Sequence, residues 1–246
     1  MAGELGVDRM DYLVRDALHS GAAAGRFDYH RLLNTLTVIK HPDAGTPVLA
    51  IEAGGLHAAQ GLLLARYFMF LQVYFHDVRR IYDRHLLDFL SAYLQDGHFP
   101  AQLDEYVQLT DDTVGAAIAK AAAGEGRLAD LALRLRHRNH YRLVKQITPQ
   151  AKAKDPEILE KLSDHLRNRF QDRVRTDEVG KEPHTLEGGK LYIDREDEAP
   201  EDILLVSELI RSLNPVRLGR IYAHHDVREE VKKACDEFLK GEGAPS

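Results

Sequence analysis

The chain has 246 residues, of which 44% are hydrophobic and 29% are charged, which is ordinary for a soluble globular protein. Its formal net charge of −6 excludes a global positive field that would recruit nucleic acid. The longest apolar run is too short to span a bilayer, and the single cysteine, Cys235, cannot form an internal disulfide. We therefore expect a cytoplasmic protein of one large or two small domains that associates with neither membrane nor nucleic acid.

The first hundred residues have a mainly helical pattern interrupted by one hairpin. In chain order we expect a helix over Val7–His19, a second over Asp28–Thr35, hairpin strands at Thr37–Ile39 and Val48–Ile51, and a helical stretch over Leu56–Gln95 that is kinked near His76. The first part of that stretch is apolar nearly all round, so it should be buried.

After Pro100 the pattern mixes helices with short strands. We expect helices at Asp112–Ala123, Arg127–Arg136, Asp155–Phe170 and Asp226–Lys240, strands at Tyr141–Lys145, Arg173–Val179, Leu191–Ile193, Ile203–Val206 and Arg217–Tyr222, a hairpin turn at Glu187–Gly189 and a solvated loop at Arg195–Asp202. The predicted fold is mainly α with a small α+β part, divided into a helical domain at 1–100 and an α+β subdomain with a small sheet at 101–246.

The first predicted helix carries a polar face. Asp8, Tyr12 and Asp16 stand at positions i, i+4 and i+8, which places two carboxylates and a phenol along one side. Apolar residues (Met10, Leu13, Val14 and Ala17) fall mostly on the other side. From spacing alone, such a face is most often simply solvated.

The string from Asp8 to Asp16, followed by His19, Gly21 and Phe27-Asp28, resembles the last metal-ligand helix of HD-domain phosphohydrolases. The resemblance is to the branch that includes deoxynucleoside triphosphate triphosphohydrolases, whose pattern is roughly D-(R/K)-x-D-Y-x-x-R-D. In that family a His and then a His-Asp pair lie upstream, whereas seven residues precede Asp8 here. The resemblance thus implies the C-terminal portion of such an enzyme, with an incomplete metal site and no hydrolase activity by itself.

Arg66 lies inside the apolar run of the long helical stretch. A buried guanidinium is costly unless an anion meets it. Its position leaves two kinds of partner open: Asp11 or Asp16 in an internal ion pair, or a substrate phosphate, which arginine binds in a bidentate manner.

The segment Arg66–His76 resembles the R-x(7)-Y-x-H segment of the same enzymes. This resemblance implies a phosphorylated small molecule, a nucleotide or deoxynucleotide, as ligand. It implies a divalent metal ion (Mn, Mg, Fe, Zn or Co, which the sequence does not distinguish) if the missing ligands are supplied. By resemblance, the metal ligand is Asp8, the phosphate-facing residues are Arg9 and Arg66, and the sugar-facing residues are Tyr12, Asp16 and Tyr74.

Two literal His-Asp pairs, His76-Asp77 and His225-Asp226, are not expected to bind metal. The first belongs to the helix implied to lie near the substrate, and in the second Asp226 stands where it can cap a helix. The isolated His57 and His85 are expected to be surface or hydrogen-bonded core histidines.

A basic cluster comprises Arg134, Arg136, Arg138 and Arg142. These cations can simply complement a helix C-terminus that leads into an edge strand. Alternatively, they form an anion or effector site.

Two functions follow. By resemblance, the chain is the C-terminal portion of an HD-superfamily phosphohydrolase, either as a truncated gene product or as one partner of a split enzyme that a complementary N-terminal HD chain completes. Alternatively, it is a non-catalytic nucleotide-binding regulatory or protein-interaction module derived from such an enzyme. Apolar surface exposed on the first helix and on the Leu56–Phe75 helix would favour the first, since those faces would then pack on the missing half, unless homo-oligomerisation covers them.

Overall fold

A computed structural model describes residues 5–181, 190–196 and 198–241. The helices in these ranges are α1 (Val7–Ser20), α2 (Tyr29–Asn34), α3 (Leu56–Met69), α4 (Asp77–Tyr93), α5 (Leu103–Tyr106), α6 (Asp111–Ala122), α7 (Arg127–Arg136), α8 (Pro149–Lys154), α9 (Ile158–Phe170), α10 (Ile203–Val206), α11 (Glu208–Arg211) and α12 (Arg228–Gly241). The strands are β1 (Leu36–Lys40), β2 (Pro47–Glu52), β3 (Arg142–Ile147), β4 (Val174–Lys181), β5 (Tyr192–Asp194), β6 (Glu201–Asp202) and β7 (Val216–Ala223). The predicted fold class, mainly α with a small α+β part, is confirmed.

The chain forms two compact units. The first unit comprises Met1–His76 and Gly180–Val216, and the second comprises Asp77–Val179 and Arg217–Ser246. The proposed division into domains at residue 100 stays a prediction. Among the helices of the described ranges, none combines the length and the apolar character needed to cross a bilayer.

In the first unit, α1 turns Met10, Leu13 and Ala17 into the core. Val14 was expected on this buried side but is 38% exposed, because the inward stripe of α1 is narrower than its apolar sequence. The helix ends at Gly21, whose φ of 75° is a left-handed conformation that glycine adopts without strain.

The first unit also contains a four-stranded sheet with the order β1-β2-β5-β6. The predicted hairpin is confirmed, since β1 and β2 pair antiparallel with Leu36 opposite Ile51. β5 joins β2 in parallel, with Ala50 opposite Tyr192. The sheet therefore brings the segment after residue 190 against the N-terminal part of the chain.

The α2–α3 region depends on a close backbone approach. Asp28 caps α2, as predicted, by accepting a hydrogen bond from Arg31 N at 2.9 Å. Thr35, just beyond α2, is buried and packs against Gly55 at the start of α3. A Cβ at Gly55 would lie 2.1 Å from Thr35 Oγ1 and 2.6 Å from Ile51 Cγ2, so the packing requires glycine here.

The predicted long helical stretch is interrupted between α3 and α4. After α3, residues Phe70–Tyr74 form a π-helical turn, in which Phe75 N donates to Phe70 O at 2.8 Å. The predicted kink near His76 is confirmed, and the irregularity begins six residues earlier. Single π-turns of this kind are frequent at functional sites.

The second unit is built on a three-stranded sheet with the order β3-β7-β4, in which β3 and β7 are antiparallel. Helices α9 and α12 cover its core with Leu162, Leu166, Val231 and Ala234. Cys235 is buried in the same core, and burial raises the pKa of its thiol to about 11, so it remains a protonated, unreactive side chain.

A buried carboxylate joins α4 to β4 in the second unit. Asp177 accepts hydrogen bonds from Arg80 Nη2 at 2.7 Å and from Arg84 Nε at 2.8 Å. Burial opposes its ionisation, but these two guanidinium groups hold the pKa of Asp177 below its ordinary value. The ion cluster thereby fixes α4 against the sheet.

Three segments differ from the predicted secondary structure, and one of them is the predicted loop Arg195–Asp202, which ends in β6. Ile203–Val206 was predicted as a strand from its apolar run but forms α10, because the Asp202 side chain accepts from Leu204 N and starts a helical turn. The helix predicted to open at Asp155-Pro156 begins at Ile158, since Asp155 instead accepts from Glu157 N in a turn. The predicted turn at Glu187–Gly189 lies outside the described residues.

His85 is fully buried in the second unit and stays neutral. Its Nε2 accepts a hydrogen bond from Tyr141 N at 3.1 Å. Burial is the main cause that lowers the pKa of His85 to about 3, and the nearby Arg134 and Arg175 contribute. His85 is therefore a core histidine, as expected, although its buried Nδ1 has no hydrogen-bond partner among the described residues.

Replacing Gly55 by alanine should destabilise the first unit by about 1–3 kcal/mol, since the buried side chains of Thr35 and Ile51 must shift to admit the new Cβ. Gly61→Ala in the same helix is the matched control, because its Cβ would meet only Phe27 Cβ at 3.7 Å. That change should stabilise α3 by about 0.5–1 kcal/mol. Urea unfolding of both variants checks the prediction, and equal stability of the two would contradict it.

Stability should fall on acidification because of His85. The unfolded chain binds a proton on His85 near pH 6.5, but the folded chain does so only near pH 3. Below pH 6.5 the unfolded chain therefore gains a proton that the folded chain does not take up, which favours unfolding. The free energy of unfolding should fall by roughly 3 kcal/mol between pH 7 and pH 4. Comparing urea unfolding at pH 7 and pH 4.5 should show a shallower pH dependence for His85→Gln than for the wild type or for exposed His98→Gln. Parallel pH profiles would rule the explanation out.

Candidate functional site

The predicted sugar-facing residues meet in the first unit. Tyr74, at the end of the π-turn, donates a hydrogen bond from its hydroxyl to Asp16 Oδ2 at 2.7 Å. Both side chains are partly buried. One carboxylate oxygen of Asp16 is thus held by the protein, and the hydroxyl of Tyr74 is fixed in direction.

Aromatic rings surround this hydrogen bond. The rings of Tyr12 and Tyr74 meet edge to face with centroids 6.1 Å apart, and Phe70 meets Tyr74 at 5.1 Å. Edge-to-face contacts of this kind stabilise a fixed ring arrangement. Three aromatic side chains from α1 and the π-turn therefore form one contiguous group beside Asp16.

Two cations flank the same aromatic group. Arg66 is only 4% exposed, and its Cζ lies 5.7 Å from the centre of the Phe70 ring. Lys181 Nζ lies 5.7 Å from the same ring. The sequence interpretation did not include Phe70 or Lys181. Phe70 follows Arg66 by one helical turn and could have been found from spacing, but Lys181 is far away in the chain and carries no local signal.

The π-turn accounts for how Arg66 and Tyr74 reach one group. In a regular α-helix a residue eight positions on lies about 80° round from the first. A π-turn accommodates one extra residue, which reduces this offset to about 20°. The irregular turn therefore brings Tyr74 back towards the face of Arg66.

Asp8 and Arg9 lie near the start of α1. Asp8 is exposed, whereas Arg9 is partly buried. Within residues 5–181, 190–196 and 198–241, Asp8 belongs to no group of three potential metal-ligating side chains, and neither does the His76-Asp77 pair. One carboxylate does not hold a transition metal ion tightly, so the described residues around Asp8 do not fit a metal centre.

The two carboxylates first considered as partners of Arg66 differ in position. Asp11 is exposed and forms an ion pair with Arg15 one turn along α1. Asp16 is partly buried and is bonded to Tyr74. Asp11 therefore belongs to the solvated side of α1, and Asp16 to the aromatic group.

The predicted basic cluster is distributed over the end of α7 and the start of β3. Arg134 lies over the ring of Tyr141, with its Cζ 4.8 Å from the ring centre. Arg136 and Arg138 are exposed, and Arg142 Nη1 lies 3.0 Å from His140 Nε2. Of the four, Arg134 lines a cavity of about 300 Å³ in the second unit.

The first-unit group combines aromatic faces, a fixed carboxylate and two cations. A ligand with an apolar or sugar face and an anionic end would satisfy all three. We call this set the aromatic–cation group; its members are Tyr12, Asp16, Arg66, Phe70, Tyr74 and Lys181.

Curated relatives match a short part of the chain. An uncharacterised protein of Methanocaldococcus jannaschii is 39% identical over 83 residues, which is 34% of this chain and 18% of the relative. An uncharacterised protein of Bacillus subtilis is 36% identical over 80 residues, which is 32% of this chain and 17% of the relative. The matched segments therefore cover less than a fifth of these longer proteins.

Solved structures match nearly the whole chain. A hypothetical protein from Aquifex aeolicus superposes with a TM-score of 0.76 and 32% identity, covering 94% of this chain and 57% of that one. A phosphohydrolase from Bacteroides thetaiotaomicron superposes with a TM-score of 0.65 and 22% identity, covering 90% of this chain and 62% of that one. The chain thus spans about three fifths of each, and the second likeness concerns the fold alone.

A family profile described as HD associated region matches residues 27–174. The match begins after α1, so the stretch with Asp8 lies outside it. It nevertheless covers more than half of the 246 residues. The chain therefore belongs to the HD associated region family.

Proposed function

We propose that this chain supplies the substrate-facing side of an HD-superfamily phosphohydrolase, and that the substrate is a phosphorylated small molecule of the nucleotide or deoxynucleotide class. The observation that carries the proposal is the aromatic–cation group, in which Tyr74 and Asp16 are hydrogen-bonded at 2.7 Å and Arg66 is buried beside Phe70. Family membership and a fold shared with the Bacteroides phosphohydrolase support it.

In this proposal each side chain has a defined role. Arg66 and Lys181 meet the phosphates, since two cations that both lie 5.7 Å from the Phe70 ring centre can share the charge of a polyphosphate. Tyr12 and Tyr74 offer ring surface to the sugar. Asp16 accepts a hydrogen bond from a sugar hydroxyl through Oδ1, because Tyr74 already occupies Oδ2.

The metal-dependent step needs ligands beyond those described. A divalent ion of an HD site supplies Lewis acidity toward phosphate, but Asp8 is not part of a three-ligand group within the described residues. We therefore assign this chain to binding and orientation of the substrate, and assign the remaining metal ligands to a separate HD segment.

We propose that the HD segment docks on the solvent-exposed side of α1. Val7 and Leu18 are 65% and 71% exposed, and with Val14 they form one apolar stripe at helical spacing. Phe68 on α3 is also exposed. Because the chain spans about three fifths of its structural neighbours, an HD segment is the occupant that fits, and a second copy of this chain is the competing outcome.

A second candidate function is nucleotide binding without turnover. The exposed and isolated position of Asp8 favours it, since a ligand pocket can persist where a metal centre is incomplete. The two candidates share the aromatic–cation group and differ in whether a supplied HD segment restores hydrolysis.

Arg66→Lys should weaken binding of deoxyadenosine triphosphate about tenfold, which corresponds to about 1.4 kcal/mol, because lysine keeps the charge but loses bidentate contact. Arg15→Lys on the exposed side of α1 is the matched control and should leave affinity unchanged. Isothermal titration calorimetry of the three proteins measures the effect.

Deoxyadenosine, which lacks phosphates, should bind more weakly than the triphosphate and should be insensitive to Arg66→Lys. No binding of the triphosphate by the wild type, or equal loss in both arginine variants, would contradict the proposed site. Circular dichroism melts of each variant separate a loss of binding from a loss of fold.

Hydrolysis distinguishes the two candidates. The purified chain in Mn²⁺ should show no turnover alone and should gain turnover when a polypeptide carrying the His and His-Asp ligands of an HD domain is added. Asp8→Ala should then abolish the restored activity. Nucleotide binding with no restoration by any such segment would instead establish the non-catalytic function.

A further inference from the structure

Three potential metal ligands lie side by side where β7 leads into α12. His224 Nδ1 is 3.2 Å from Asp226 Oδ2, and His225 Nε2 is 2.8 Å from Asp226 Oδ1. The ligand atoms of the three side chains all lie within 4.8 Å of one another. They are the one such group of three within the described ranges.

This arrangement differs from the cap expected for Asp226. His224 takes the cap position, and its Nδ1 accepts from Asp226 N at a long 3.4 Å. The carboxylate of Asp226 therefore does not cap this turn, and its two oxygens instead lie next to the imidazoles of His224 and His225. The expectation that this pair has no metal role rested in part on Asp226 as the cap, and that part is wrong.

The separations suit one small ion. Zinc binds imidazole nitrogen and carboxylate oxygen at about 2.0–2.2 Å, so two ligands of a tetrahedral site lie about 3.4 Å apart. The observed separations of 3.2 and 2.8 Å are within a small side-chain rotation of that value. Two imidazoles with one carboxylate favour zinc, cobalt or nickel over magnesium or calcium.

One side of the cluster borders a cavity. His224 and Asp226 line the cavity of about 300 Å³ in the second unit. Apart from Asp226 itself, two carboxylates (Asp130 and Asp172) and two guanidinium groups (Arg134 and Arg173) line its wall, so their charges balance. The cavity leaves room for water on the open side of an ion. His225 is 63% exposed, so an ion can enter from solvent.

We propose that His224, His225 and Asp226 form a binding site for one transition metal ion of the zinc class. The ion joins the end of β7 to the start of α12 and takes its remaining ligands from water in the cavity. This site lies in the second unit and shares no residue with the aromatic–cation group, so it is independent of the proposed function.

The test uses the full chain after treatment with a chelator and desalting. Zn²⁺ is titrated against a chromophoric competitor, and Co²⁺ is added separately because its visible absorption reports nitrogen and oxygen ligation. The variants are His225→Gln and Asp226→Asn, both at exposed positions. The controls are His98→Gln, another exposed histidine of the second unit, and Asp8→Asn.

The wild type and both controls should bind one equivalent of Zn²⁺, and a Co²⁺ spectrum should appear. His225→Gln and Asp226→Asn should each bind at least about tenfold more weakly, since loss of a direct ligand costs no less than loss of an outer partner. Zn²⁺ should also raise the melting temperature of the wild type and not of these two variants. Unchanged affinity in both variants, no stoichiometric binding by the wild type, or loss of binding only in Asp8→Asn would overturn the proposal.

Discussion

The hydrogen bond between Tyr74 and Asp16 is the interaction on which the candidate site depends. It joins α1 to the end of the π-turn that follows α3, between two residues that are 58 positions apart in the chain. This hydrogen bond fixes the direction of the Tyr74 hydroxyl and holds one carboxylate oxygen of Asp16, while the contacts with Tyr12 and Phe70 orient the Tyr74 ring. The bond forms because the π-turn rotates Tyr74 back to the side of Arg66, and because α1 packs its inner face on α3.

Much of the fold was predictable because local signals agreed with the final packing. The α7 boundaries and the β1–β2 hairpin follow from caps, turn residues and apolar spacing. Ile203–Val206 was mispredicted because four apolar residues in a row are ambiguous between helix and strand. A single capping contact from Asp202 decided the outcome in favour of a helix. The residue types alone do not show whether such a capping hydrogen bond will form.

The site was predictable only where a resemblance supplied the positions. Tyr12, Asp16 and Tyr74 were chosen from motif spacing, and the structure brings these three side chains together. Lys181 could not be found, since its approach to Phe70 depends on folding of a distant segment. The π-turn likewise has no sequence signature of its own, although it determines which face Tyr74 occupies. The roles assigned to these residues remain proposals.

The two units carry different chemistry. The first holds the aromatic–cation group and Asp8, an exposed carboxylate that belongs to no three-ligand group among the described residues. The second holds a histidine–carboxylate cluster at the β7–α12 junction, together with buried polar groups such as Asp177 that stabilise the sheet.

A double-mutant cycle on Tyr74 and Asp16 tests the central claim most directly. Tyr74→Phe, Asp16→Ala and the double variant are compared with the wild type in urea unfolding. A hydrogen bond to a carboxylate predicts a coupling energy of about 1.5–3 kcal/mol, so the double variant should lose less than the sum of the single losses. Strictly additive losses would show that the two side chains act independently and that the π-turn is not held on α1 by this contact.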